Sequence, residues 1–151
     1  MVGSAMTDLV VRTPRLPKPG ETLIGSSFTE GFGGKGANQA VMAARLGARV
    51  GVVLKLGRDA FGDRTLEHYQ NEGLDTSFVG RADGPTGVAL ITVGEDTGEN
   101  TIALAPGAND ALSPDDVTRG WAVTHSATRR QGWNSRQVTS GSWCQQRSCC
   151  S

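Results

Sequence analysis

The sequence predicts an α/β fold, and three observations carry that expectation. Apolar runs of strand length alternate with stretches of helical periodicity. Glycines punctuate the ends of these elements. The alternation stops near residue 118, where the composition changes abruptly.

Val10 to Lys18 reads as a short strand, built on Leu9-Val10-Val11, entering a loop that holds Pro14, Pro17 and Pro19. Thr22-Leu23-Ile24 is a second short strand candidate, ended by Gly25. Gly31 to Gly36 is the most glycine-rich stretch. A helix is expected over about 37–46, with Ala37, Ala40, Val41, Ala44 and Leu46 at helical spacing and Gly47 as its stop. Val50 to Leu54 is an apolar strand that ends by Gly57. Asp59 to Asn71 reads as a second helix, with Phe61, Leu66 and Tyr69 on its apolar side and Gly73 as its stop. Thr86–Val93 and Thr101–Leu104 are β-rich and flank a turn-rich loop, which predicts a β-hairpin. Ser113-Pro114-Asp115-Asp116 is a helix start: a serine cap, proline in the first turn, and acids at the positive end.

A chain of 151 residues suits one domain, or one domain with a tail. Lys+Arg and Asp+Glu are both 15, so bulk charge gives no polyanion binder, and no nucleic-acid partner is expected. No apolar run approaches a membrane span of roughly 18 residues. The opening Met1-Val2-Gly3-Ser4 has neither the basic region nor the apolar core of a signal peptide. A cytoplasmic setting is the resulting expectation.

The neutral average conceals two unlike parts. Residues 1–117 hold all 15 acids and 10 basic residues, a net of −5; residues 118–151 hold five arginines and no acid, a net of +5. The second part lacks Leu, Ile, Phe, Met, Tyr and Pro, yet holds all three tryptophans and all three cysteines. It shows neither helical nor strand periodicity and reads as a disordered, basic Ser/Arg/Gln/Trp/Cys tail. A shifted reading frame or a read-through product explains this composition best. Five arginines over 34 residues are thin for an arm that binds single-stranded nucleic acid. Cys144, Cys149 and Cys150 fit zinc-ligand spacing poorly.

The glycine-rich stretch is the chemical signal. Gly31-x-Gly33-x-x-Gly36 matches a dinucleotide-binding string but does not follow a buried strand, and Gly34-Lys35-Gly36 lacks the Ser or Thr of a phosphate loop. Its physics still matters. Closely spaced glycines let backbone N–H groups approach a ligand, and the following helix presents a positive end. Lys35 adds a point charge, and Asn38 both donates and accepts. Such a site suits a polyol, a phosphate or a carboxylate; a tight turn with an exposed lysine is the competing reading. His68 reads as a solvated helix residue. Asp59 and Asp63 read as a helix start, and Glu95, Asp96 and Glu99 as a solvated turn.

Gly33-Gly34-Lys35-Gly36-Ala37-Asn38-Gln39-Ala40 resembles the signature of the ribokinase branch of the pfkB-type carbohydrate kinases. Other stretches agree in order: Gly3 to Asp8, Pro19-Gly20-Glu21-Thr22, Gly57 to Gly62, Thr86 to Ala89, and Pro106-Gly107-Ala108-Asn109. Together they cover about residues 1–117. The resemblance implies an incomplete doubly wound sheet with a small β-sheet lid. It implies ATP- and Mg²⁺-dependent phosphorylation of D-ribose to ribose 5-phosphate in intact family members. By position, Asp8 resembles the carboxylate that binds two ribose hydroxyls. Gly34, Lys35 and Asn38 resemble loop and helix-start contacts to the sugar, and Ala89 and Ile102 resemble apolar lid contacts over the ring.

Departures from the pattern shape the expectation. Met6 stands where many relatives have asparagine, and most of the first core strand is absent. The family's catalytic aspartate, magnesium-ordering residues and nucleotide pocket have no counterpart here. No catalytic, cofactor-binding or metal-binding residue is therefore nominated, and the chain is expected to be inactive alone. Ribose or a related pentose is the expected ligand. A homodimer, or a mixed dimer with a full-length kinase, is expected through the lid strands.

Overall fold

The computed structural model describes residues 1–120. Six strands and two principal helices are ordered β1 (Met6–Thr13), β2 (Ser27–Gly33), α1 (Lys35–Arg45), β3 (Gly51–Gly57), α2 (Ala60–Asn71), β4 (Asp75–Ala82), β5 (Val88–Gly94) and β6 (Asn100–Ala105). A 3-10 turn (Gly107–Ala111) follows. A further helix begins at 114 and is followed to 120, the last described residue. The tail read as disordered, with its tryptophans and cysteines, lies outside the described residues from 121 onward.

Two sheets organise the chain. One has four strands in the order β2-β1-β5-β6; the other pairs β3 with β4. In the four-stranded sheet β1 runs parallel to β5, and both outer pairings are antiparallel. The β5–β6 hairpin read from composition is present, with Ile91 opposite Ile102 and Ala89 opposite Leu104. Strands β3 and β4 are parallel and joined by α2, which makes a βαβ unit. The chain start runs along the other side of β3, where Val2 bridges Val53 in parallel fashion.

The core lies around β3. Val52, Leu54 and Leu56 are buried there with Tyr69, Leu74, Ala5, Ala37 and Ala40. Alanine at 37 and 40 gives α1 a small-residue face, which allows close packing. Val41, Ala44, Val50, Leu66 and Val79 seal the rim. Apolar residues thus recur through β3 rather than strictly alternating, as expected of a parallel strand covered on both faces.

Several sequence expectations shift. The first strand begins at Met6 and ends at Thr13, so Met6, Thr7 and Asp8 belong to the strand rather than to a preceding turn. Thr22-Leu23-Ile24 is not a strand; the strand lies at Ser27–Gly33 and exists because it pairs antiparallel with β1. β-propensity misses it, since three of its seven residues are Gly31, Gly33 and Glu30. Strand β4 is not expected either: Asp75–Ala82 opens with Asp75-Thr76-Ser77 and contains Gly80, and parallel pairing to β3 makes it a strand. Helix α1 starts two residues earlier than expected, at Lys35. His68 is not simply solvated: it is half-buried, and its ring stacks on Phe32 with centroids 4.0 Å apart and planes 6° apart.

Two polar clusters pin the turns. Asp59 caps α2 by accepting from the Gly62 N–H at 2.8 Å. It also accepts from the Thr86 N–H at 2.8 Å and the Thr86 hydroxyl at 2.6 Å. The Thr86 hydroxyl in turn accepts from the Gly57 N–H at 3.0 Å. One carboxylate thereby joins the β3–α2 turn to the start of β5. The second cluster is a reciprocal cap at the last helix: the Ser113 N–H donates to Asp116 at 2.9 Å, and the Asp116 N–H donates to Ser113 Oγ at 3.3 Å. Lys55 on β3 pairs with the same Asp116 at 3.0 Å. Hydrogen bonds from Ser113, aided by Lys55, hold the Asp116 carboxyl far below the usual carboxylate range.

Leu56 is fully buried in β3. Leu56→Ala should therefore cost about 2–5 kcal/mol in urea unfolding, through lost transfer energy and a residual cavity. Thr86→Val should cost about 1–3 kcal/mol, because it leaves the Gly57 N–H buried without an acceptor. Burial pushes the Asp59 pKa up, but hydrogen bonds from Thr86 and Gly62 outweigh it and lower the pKa from its ordinary 3.8. A lowered carboxylate pKa contributes stability that is fully present above 3.8 and is lost as pH falls through the folded-state value. Asp59→Asn should remove that component, so the stability of the variant should fall less steeply below pH 3.8 than that of the unsubstituted chain.

Candidate functional site

The site is built on two backbone segments that touch. Gly3 and Gly36 face each other so closely that a Cβ on either would lie 2.9 Å from the other's Cα. Gly34 packs on Ser4 and Ala5, where any Cβ would overlap the Ser4 carbonyl oxygen. Its φ of +101° lies in the region that favours glycine. The Gly3–Ala5 segment and the Gly34–Gly36 segment thus form one floor without side chains. The same Gly34 lies at the N-terminal boundary of α1, where no side chain caps the helix. The positive end of α1 therefore opens at this floor.

Asp8 stands at the edge of this floor. It lies on β1 between Gly31 of β2 and Ala89 of β5. Its carboxylate extends over Gly33, where a Cβ would overlap both carboxylate oxygens. Gly33 therefore keeps open the place that the carboxylate occupies. Partial burial raises the Asp8 pKa from its ordinary 3.8, because desolvation penalises the charged form.

Lys35 and Asn38 project from the first turn of α1, three residues apart and both exposed. Among the described residues, the side chains of Asp8, Lys35 and Asn38 make no hydrogen bond or ion pair with the protein. An acceptor, a cation and an amide without protein partners thus surround a glycine floor. That chemistry suits a ligand with several hydroxyls, since each hydroxyl both donates and accepts.

The apolar candidates lie on the Asp8 face of the four-stranded sheet. Asp8, Ala89 and Leu104 form one rung across β1, β5 and β6; Val10, Ile91 and Ile102 form the next. Ala89 is buried, whereas Ile102 is 55% exposed. The register therefore brings Asp8 beside Ala89 and Gly33, with Ile102 one rung farther along and two strands away. Gly34, Lys35 and Asn38 gather at the β2–α1 junction.

Two residues matter more than sequence reasoning indicates. Gly33 stands in the glycine run, and its position under Asp8 depends on the β1–β2 register. Asn109 holds the start of β1. Its side chain accepts from the Ala5 N–H at 2.9 Å and donates to the Ala5 carbonyl at 2.9 Å and the Pro106 carbonyl at 2.8 Å. It also donates to the Met6 sulfur at 3.3 Å. Motif order singles out the Pro106–Asn109 stretch; only tertiary contact shows what its asparagine does. Among the described residues no group of three His, Cys, Asp or Glu side chains could hold a metal ion. None of their helices is long and apolar enough to cross a membrane.

Comparison with known proteins places this geometry in a family. The pattern of the pfkB family carbohydrate kinases matches residues 1–130. Ribokinase from Mus musculus is 46% identical over 128 residues, which is 84% of this chain and 39% of the mouse protein. Deoxyribokinase from Salmonella typhi is 42% identical over 120 residues, covering 79% of this chain and 39% of that protein. The chain thus spans about two-fifths of the length of these curated relatives. Among solved structures, ribokinase from Giardia lamblia superposes with a TM-score of 0.73 at 38% identity, over 81% of this chain and 37% of that one. Arabidopsis thaliana ribokinase complexed with ribose and ATP superposes with a TM-score of 0.68 at 37% identity, over 78% of this chain and 40% of that one. The four-stranded sheet and the βαβ unit are therefore part of a ribokinase-like fold, and the chain belongs to the pfkB family of carbohydrate kinases.

Proposed function

We propose that this chain carries the sugar-binding part of a ribokinase-type kinase, whose intact reaction transfers a phosphoryl group from ATP to the 5-hydroxyl of D-ribose. The observation that supports this most is the unpartnered Asp8 carboxylate held over Gly33 beside the Gly34–Gly36 floor. Asp8 accepts hydrogen bonds from two neighbouring ribose hydroxyls. Backbone at Gly34 and the side chains of Lys35 and Asn38 contact the same sugar, while Ala89 and Ile102 cover its apolar side. A related pentose that presents the same hydroxyls is a ligand of the same class.

Phosphoryl transfer needs more than a sugar site. It depends on positioning, metal and electrostatic stabilisation of the transferred group. ATP and Mg²⁺ serve the intact family, and this chain spans about two-fifths of the length of its curated relatives. We assign residues 1–117 to the family domain, within a family match that runs on to residue 130, and expect the isolated chain to bind sugar without turning it over. The apolar surface of the four-stranded sheet favours a second reading. Ile102 and Leu104 on the Asp8 face, and Phe28 and Leu90 on the opposite face, are each more than half exposed. Such surface pairs the lid of this chain with the lid of a second copy or of a full-length kinase.

Titration of the ¹⁵N-labelled chain with millimolar ribose tests the site. Saturable shifts at Asp8, Gly34, Lys35 and Asn38 are expected, with no ribose phosphorylation when ATP and Mg²⁺ are added. Gly33→Ala should displace the Asp8 carboxylate and abolish the shifts while leaving the urea midpoint nearly unchanged, because the flexible carboxylate can yield. Asp8→Asn should weaken binding by about tenfold or more, the cost of losing a charge-assisted hydrogen bond. Binding through ionised Asp8 should also weaken as pH falls through its raised pKa, above 3.8, and that dependence should vanish in Asp8→Asn. A well-dispersed spectrum that ignores ribose would overturn the assignment.

A further inference from the structure

Three buried hydroxyls remain unexplained by the sugar site. Thr7 and Thr65 are fully buried, and Tyr69 is 1% exposed. None of their hydroxyl oxygens has a hydrogen-bond partner in the protein. A hydroxyl stripped of water and left unpaired lowers a folding constant by about fivefold or more. Buried polar groups in native proteins are therefore nearly always satisfied.

The fold gathers these three groups in one layer. Thr65 and Tyr69 are four residues apart and share one face of α2. The same helix packs on β3 and β4 and also touches the back of the four-stranded sheet at β2. His68 stacks on Phe32, and Arg64 pairs with Glu30 through two bonds of 2.9 and 3.0 Å. Thr7 is the cross-strand partner of Phe32, one strand farther into the sheet, and points to the same side. Its other neighbour on that side is Val88. Thr7 thus faces α2 inside a rim made by the Phe32–His68 stack and the Glu30–Arg64 pair.

We infer that Thr7, Thr65 and Tyr69 share one internal water, enclosed between the four-stranded sheet and α2. A buried water typically makes about three hydrogen bonds, which three otherwise orphaned hydroxyls supply. Thr7 adjoins Asp8 on β1, and their side chains leave opposite faces of the strand. The water ties this strand to α2 from behind, so it positions the part of β1 that carries the site. The inference does not depend on which ligand Asp8 binds.

Near-isosteric removal of each hydroxyl tests it. If the hydroxyls are truly unpartnered, Thr7→Val, Thr65→Val and Tyr69→Phe should each stabilise the chain or leave it unchanged. If they hold a shared water, each should lower the folding constant by about fivefold, measured by urea unfolding. The triple variant should then lose less than the product of the three single losses, because the water leaves only once. Thr65→Ser, which keeps the hydroxyl, should retain more stability than Thr65→Val. Neutral or stabilising single variants, or losses that simply multiply, would overturn the inference. Water-selective nuclear Overhauser spectra of the unsubstituted chain supply a readout that needs no variant. They should show a long-lived water at the amides or methyls of Thr7 and Thr65, and its absence from a well-dispersed spectrum would count equally against the site.

Discussion

Gly3 and Gly36 bring two backbones together with no side chain between them, and much of the site's geometry follows from that contact. The Gly3–Ala5 segment leads into β1, which carries Asp8; the Gly34–Gly36 segment leads into α1, which carries Lys35 and Asn38. Any side chain between them would wedge strand and helix apart. The contact also fixes where α1 begins, and so where its positive end opens. Ala37 and Ala40 continue the close approach into the core, where they are buried with Ala5.

Longer-range contacts hold this junction in place. Asn109, more than 100 residues from Ala5 in sequence, bonds both polar groups of that residue's backbone. The end of the β5–β6 hairpin is thereby clamped to the start of β1. Asp59 and Thr86 do the same for the β3–α2 turn and the start of β5. The first clamp closes the four-stranded sheet on itself and the second joins it to the βαβ unit, both through partly buried polar groups whose hydrogen bonds are costly to lose. The apolar layer around β3 supplies bulk stability, while these clamps fix the direction in which the sheet leaves it.

The sheet faces divide the work. The face with Asp8 carries Ala89, Leu104, Val10, Ile91 and Ile102, a polar acceptor beside an apolar strip. The opposite face carries Thr7 and Phe32 and docks on α2 through the His68 stack. Alternation along β1 thus assigns adjacent residues to different tasks. A slip of one residue in the β1–β2 register would exchange the two faces of β2, and in one direction would put the Phe32 side chain where Gly33 now lies under Asp8.

Local physics made much of this legible in the sequence. The spacing of Ala37, Ala40, Val41 and Ala44 defined α1, and Asp59, Ser113 and Gly73 marked helix ends through capping chemistry that needs only a few neighbouring residues. Ordered motifs, above all Gly33 to Ala40, gave the family and pointed to Asp8, Lys35 and Asn38. The sequence could not define β2 and β4, because glycine, serine and acidic residues become strands there only through pairing with β1 and β3. Nor could it tell that Gly33 lies beneath Asp8 or that Asn109 holds Ala5, since both depend on residues far apart in the chain meeting at close range. Composition and short-range periodicity were set by the sequence itself; register and the clamps between layers were decided by tertiary structure, where backbone hydrogen bonds and excluded volume act between distant segments.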